Sequence, residues 1–96
     1  MKYIISYDIS DSYRRKETSD FLISNNFIRI QKSVFLGNID SEILMQKIYV
    51  LESFLKDKTD SFLVCPLCND DLLKSYFFGK TFDLEQFERF KNFILF

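Results

Sequence analysis

Tyr3-Ile4-Ile5-Ser6-Tyr7-Asp8 is a short, nearly continuous apolar run that ends on a carboxylate. A strand covered on both faces reads this way, because neither side has to alternate with water. The stretch is therefore the expected central strand. Ile9-Ser10-Asp11-Ser12 then supply loop and N-cap chemistry, and a helix is expected from about Tyr13 to Ser24. Its apolar face is thin: Thr18, Phe21 and Leu22, with Tyr13 as an outlying member. Arg14-Arg15-Lys16 in its first turn oppose the helix dipole. Asn25-Asn26 stand where a left-handed helix stop is needed, a conformation Asn tolerates.

Downstream, Phe27–Gln31 and Ser33–Gly37 are rich in β-branched and aromatic residues. They read equally as one long strand or as two strands joined near Lys32. Asp40-Ser41 cap a second helix through about Lys56, with Leu44, Ile48, Leu51 and Leu55 on one face. Phe62–Cys65 is a further buried strand, expected to end near Pro66 because proline cannot donate to a ladder. Asn69-Asp70-Asp71 mark a turn or a single helical turn, and Tyr76-Phe77-Phe78 a strand closing at Gly79. Asp83-Leu84-Glu85-Gln86 have capping-box spacing for a short helix to Lys91, before the wholly apolar Phe93-Ile94-Leu95-Phe96. This order points to an α+β sandwich, with helices on one face of a mostly antiparallel sheet. The other sheet face is left uncovered, and a second copy is its economical cover.

The chain has 96 residues, one small domain, yet carries 12 Phe and 5 Tyr. A domain of this size buries only about 60–70% of the surface its unfolded chain exposes, so this aromatic load implies a homodimer. No apolar run approaches the ~20 residues of a membrane span and no signal pattern opens the chain, so no membrane partner and a cytoplasmic location are expected. With no His, Ser–His and Cys–His nucleophilic mechanisms within one chain are excluded. Two cysteines do not make a disulfide framework. At a net charge of −1, any nucleic-acid binding must come from local basic patches.

Asp8, at the end of the central strand and beside a loop, is where sheet proteins commonly place ligand groups. One carboxylate with waters can hold Mg²⁺ when phosphate oxygens complete the shell, and water activated in that way is the nucleophile open to a chain without His. An ordinary loop or capping Asp fits the same position. Arg14, Arg15 and Lys16, then Arg29 and Lys32, form two short basic groups around this end. Their spacing suits a phosphate backbone, with Tyr7 and Phe35 adding stacking or packing and Ser33 a hydroxyl. A solvated charged surface fits them too. Cys65-Pro66-Leu67-Cys68 lacks the second ligand pair of a zinc site and is read as core packing.

Tyr7-Asp8-Ile9, Arg15, and the run Arg29-Ile30-Gln31-Lys32-Ser33-Val34-Phe35-Leu36-Gly37 together resemble the small CRISPR-associated protein two family. The resemblance covers roughly the first 80 residues. It implies a ferredoxin-like βαββαβ sandwich dimerising sheet to sheet, with residues 1–80 as the domain; the tail adds to this the expectation of an extra C-terminal strand, with 81–96 contributing to the interface. It also implies a role in spacer acquisition, bound to the CRISPR integrase subunit and to DNA or RNA. The implied activity is Mg²⁺-dependent endonuclease cleavage of RNA or double-stranded DNA, Mn²⁺ being able to substitute, with Asp8 as metal ligand and catalytic residue. Tyr7, Arg14, Arg15, Arg29, Lys32, Ser33 and Phe35, read from their spacing, are the expected nucleic-acid contacts. The alternative is a non-catalytic dimeric adaptor that bridges integrase subunits and clamps duplex DNA. Independently of the family, the apolar tail from Phe93 to Phe96 is expected to add as an edge strand to the partner's sheet.

Overall fold

Residues 1–56, 58–79, 85 and 87–89 are described by the structure, a computed structural model. Strand β1 (Lys2–Asp8) buries every second side chain, with Tyr3, Ile5 and Tyr7 turned to one face. It lies inside an antiparallel sheet between β3 (Val34–Asn38) and β4 (Ser61–Leu67), and β2 (Ile28–Gln31) pairs with the outer side of β3. The sheet order is β2-β3-β1-β4. Helices α1 (Ser12–Ser24) and α2 (Ser41–Ser53) pack Leu22, Leu44 and Leu51 against Tyr3, Ile5, Tyr7 and Phe35. The order βαββαβ and this sheet make the ferredoxin-like α+β sandwich, with the central strand where the apolar run placed it.

Asp11 caps α1 by accepting from the Arg14 N–H at 2.9 Å. At the other end Asn26 adopts φ 67°, while the Asn26 and Phe27 N–H groups donate to the Ile23 and Leu22 carbonyls at 3.1 and 3.0 Å. That pair of bonds is a Schellman stop. The buried face of α1 is small and partly polar: Thr18, Ser19 and Leu22. Both hydroxyls are satisfied on their own helix, Thr18 by the Arg14 carbonyl at 2.8 Å and Ser19 by the Lys16 carbonyl at 3.1 Å. Tyr13, expected at the edge of that face, is 70% exposed and points away from it.

The stretch from Phe27 to Gly37 is two strands, not one. Lys32 and Ser33 form the turn, and Ser33 takes φ 64° without help from a glycine. Ile30 is the extra residue of a bulge in β2, since Arg29 pairs with Phe35 and Gln31 with Val34. Helix α2 stops at Ser53, about a turn before Lys56, because the Phe54 and Leu55 N–H groups fall back to Leu51 and Glu52 three residues behind. Strand β4 continues through Pro66 to Leu67, past its expected end. It is an edge strand among the described residues, so the missing N–H removes no ladder bond.

Three expectations are corrected at the chain's second half. Tyr76–Phe78 form no strand; the backbone is irregular, with Tyr76 and Phe78 83% and 84% exposed and only Phe77 turned inward. The second sheet face is not bare. Leu72 of the short helix α3 (Asn69–Leu73), Phe77 and Phe87 pack with Ile30 and Leu36 there, joined by Ile4, Ile28, Val34 and Leu67. Nor are both cysteines core residues: Cys65 is half-buried, but Cys68 is exposed. The Cys68 thiol donates to Asp71 Oδ2 at 2.9 Å, which holds the Asp71 carboxyl below the usual carboxylate range. Of the expected Asp83–Lys91 helix, Glu85 and Phe87–Arg89 are helical, and Arg89 pairs with Glu85 at 2.8 Å. Phe93–Phe96, and with them the extra strand, lie outside the described residues. No helix among the described residues is long and apolar enough to cross a membrane.

Candidate functional site

Asp8 is exposed and is the last residue of β1, paired across the ladder with Ser61. Side chains alternate along a strand, so Asp8 shares a face with Ser6 and lies opposite Tyr7. The loop that follows is tied down on two sides. Arg15 Nη1 donates to the Ile9 and Ser10 carbonyls, both at 3.1 Å. Asp60, whose side chain has no exposed surface, accepts from the Ser10 N–H at 3.1 Å, the Ser10 hydroxyl at 3.2 Å and Arg14 Nη2 at 2.9 Å. The Arg14 side chain is only 18% exposed. Its guanidinium serves the loop, not the solvent.

On the other side of β1, a groove of about 400 Å³ runs between α1 and the β2–β3 hairpin. Ser12, Arg15, Lys16, Ser19, Asp20 and Ile23 line it from the helix, and Tyr7, Arg29, Lys32 and Ser33 from the sheet and hairpin. Four cations thus face one carboxylate. Asp20 pairs with Lys16 at 2.8 Å, and this hydrogen bond with its added charge attraction raises the Lys16 pKa above the ordinary lysine value. Arg29 lies 5.2 Å over the Phe35 ring, and Phe35 stacks in turn on Tyr7 at 6.1 Å and 21°. Phe35 is 0% exposed and Tyr7 7%, so neither ring offers a face to a base. They form a rigid support that aims Arg29. The Tyr7 N–H also donates to the Ser33 carbonyl at 3.0 Å, fastening the hairpin turn to β1.

Of the residues singled out from sequence, the fold gathers Tyr7, Arg15, Arg29, Lys32 and Ser33 in one groove, with Phe35 beneath. Arg14 is drawn to Asp60, and Asp8 stands on the opposite face of its strand. Ser12, Lys16, Ser19, Asp20 and Ile23 follow helical spacing along α1, a stripe that the sequence did carry. Asp60 had no local signal, because its partner Ser10 is 50 positions away. Among the described residues no three Asp, Glu or Cys side chains gather into a metal site. A lone exposed carboxylate is nonetheless a hard oxygen donor of the kind Mg²⁺ accepts, provided water and phosphate oxygens supply the rest of the shell.

Fold and site define a class: small ferredoxin-like sandwiches with a cationic groove beside the first helix and an exposed carboxylate ending the first strand. Residues 1–75 match the model of the CRISPR associated protein Cas2 family, and the chain belongs to that family. A relative from Korarchaeum cryptofilum, named CRISPR-associated endoribonuclease Cas2, is 31% identical over 72 residues, covering 75% of this chain and 77% of the relative. The solved structure of Streptococcus pyogenes Cas2 shares the fold at a TM-score of 0.72 and 19% identity, over 82% of this chain and 100% of that one. A hypothetical protein from Thermus thermophilus superposes at a TM-score of 0.63 with 28% identity, over 70% of this chain and 80% of that one.

Proposed function

We propose that the chain is a CRISPR spacer-acquisition subunit that acts as a Mg²⁺-dependent endonuclease on phosphodiester bonds of RNA or double-stranded DNA. The family match over residues 1–75, with a relative named as an endoribonuclease, carries the reading. Arg15, Arg29, Lys32 and the Ser33 hydroxyl bind the phosphate backbone in the groove; Tyr7 and Phe35 support Arg29, and Arg14 shapes the loop. Asp8 is the residue that would hold Mg²⁺ or Mn²⁺, which when bound supplies an activated water and neutralises phosphate charge. Titrating a labelled RNA and a labelled duplex with and without Mg²⁺ tests the activity. Cleavage of at least one, only with the ion, is expected; no cleavage of either removes the nuclease reading.

The working unit is proposed to be a homodimer that binds the CRISPR integrase subunit. Leu63, Tyr76 and Phe78 are 62%, 83% and 84% exposed, large apolar side chains that a second copy would cover. Sedimentation at micromolar concentration should give twice the chain's mass, and a purely single-chain species would refute the dimer. One observation favours a second reading, the non-catalytic adaptor that clamps duplex DNA. Asp8 and the groove lie on opposite sides of β1, so within one chain the carboxylate and the cations do not converge.

The groove makes a prediction common to both readings. Arg15→Ala and Arg29→Ala should each weaken nucleic-acid binding and lower the slope of log affinity against log salt by about one. Fluorescence anisotropy at several salt concentrations measures it. Unchanged slopes in both variants would place the interface elsewhere.

A further inference from the structure

We infer that Asp60 is a positioning residue for the Asp8 carboxylate, acting through the main chain that leaves β1. The Asp8–Ser61 pair is the last of the β1–β4 ladder. Past it the two chains part, and a terminal pair with nothing beyond it opens readily. Asp60 directly precedes Ser61, and Ser10 follows Asp8 by two residues, so a bond between them closes the open end across the same two chains. Asp60 makes two such bonds from one oxygen: Oδ1 accepts from the Ser10 N–H at 3.1 Å and from its hydroxyl at 3.2 Å. Oδ2 fixes the acid itself, accepting from Arg14 Nη2 at 2.9 Å and the Lys56 N–H at 3.2 Å.

The carboxylate is thus held by α1 and by the segment after α2 while it holds the loop after Asp8. A buried ion pair is a weak device for stability alone, because desolvation offsets most of its attraction. Its placement is the informative feature: two of its bonds hold Ser10, two residues past Asp8, while further bonds tie the acid to Arg14 of α1 and to Lys56 after α2. The inference rests on the reading of Asp8 as a metal ligand, and a ligand carboxylate supplies useful affinity only when its own backbone is fixed.

The test uses the full chain and Mn²⁺ alone, with free ion counted by electron paramagnetic resonance and Asp8→Asn as the blank. The double variant Arg14→Met/Asp60→Ala removes both buried charges together, so no uncompensated charge remains and the fold should melt within about five degrees of wild type. Its Asp8-dependent Mn²⁺ affinity should nevertheless fall about tenfold. Ser10→Ala removes a single bond and should lower the affinity by about two- to threefold, which keeps the question decidable if the double variant does not fold. Wild-type affinity in either folded variant overturns the inference while leaving Asp8 as the ligand. A wild-type chain that takes up no Asp8-dependent Mn²⁺, either alone or with a short duplex present to supply phosphate oxygens, overturns the metal reading and this inference with it.

Discussion

Asp8→Asn is expected to lower Mg²⁺-dependent cleavage of RNA or duplex DNA by at least about a hundredfold, since losing even an outer partner of a metal ligand costs about 10–100-fold. The amide keeps the shape of the carboxylate but gives up its charge, and Mg²⁺ selects charged oxygen. The fold should not notice. Asp8 is exposed and contributes to the sheet through its main chain, which pairs with Ser61 whatever the side chain. Exposed changes of this kind usually stay within about 0.5 kcal/mol. Single-turnover cleavage across a Mg²⁺ titration, set beside a melting curve, separates the two effects. The variant also discriminates between the two readings of the protein. Cleavage at the wild-type rate would mean that any nuclease activity resides elsewhere or in a contaminant, and the adaptor reading would then stand. Loss of cleavage with spacer acquisition intact would assign the carboxylate to a reaction that acquisition does not need.

Local pattern carried the first half of the fold far. Tyr3–Asp8 reads as a two-sided strand and lies inside the sheet; Leu44, Ile48, Leu51 and Leu55 read as one face and pack on it. What the pattern missed was decided by neighbours distant in sequence. The Lys32-Ser33 turn carries no Asn-Gly or Gly, so nothing local announces a hairpin, yet the Tyr7 N–H, distant in sequence, donates to the Ser33 carbonyl and fastens the turn, where Ser33 takes φ 64°. Tyr76–Phe78 have strand-like composition but join no ladder among the described residues; one inward ring, Phe77, set edge-on to Phe87 at 4.3 Å, anchors the segment instead. The same ring helps cover the sheet face that composition alone left to a second copy. At the site, the basic residues were legible as two short clusters, and the fold brings most of them into one groove. Which of them reach solvent was not legible. Arg14 and Arg15 are adjacent in sequence, but helical rotation turns the first to buried Asp60 and the second to the groove.

Gly37→Ala should be the most destabilising single-methyl change in the described sheet. The requirement is for space, not backbone freedom, since the glycine that takes a positive φ is Gly79. A Cβ at Gly37 would meet three carbons of the Phe27 ring, Cε1, Cδ1 and Cζ, at 2.3, 2.4 and 2.7 Å. The ring has little room to yield. Phe27 is 3% exposed, and its N–H is bound to the Leu22 carbonyl at 3.0 Å in the turn that ends α1. Gly37 is equally fixed, paired with Tyr3 in a strand that has neighbours on both sides. Overpacking of this kind costs about 1–3 kcal/mol. For a domain of this size each kcal/mol moves the melting temperature by about 4–8 °C, so a fall of about 10–20 °C is expected. Trimming the ring should restore part of the loss: Phe27→Leu combined with Gly37→Ala should melt higher than the two separate costs would add up to. A Gly37→Ala chain melting within two or three degrees of wild type would show that the ring can move aside. In that case the close approach of Phe27 to β3 is not what fixes the end of α1 over the sheet, and the position of the groove would depend on the hairpin contacts of Tyr7 and Phe35 instead.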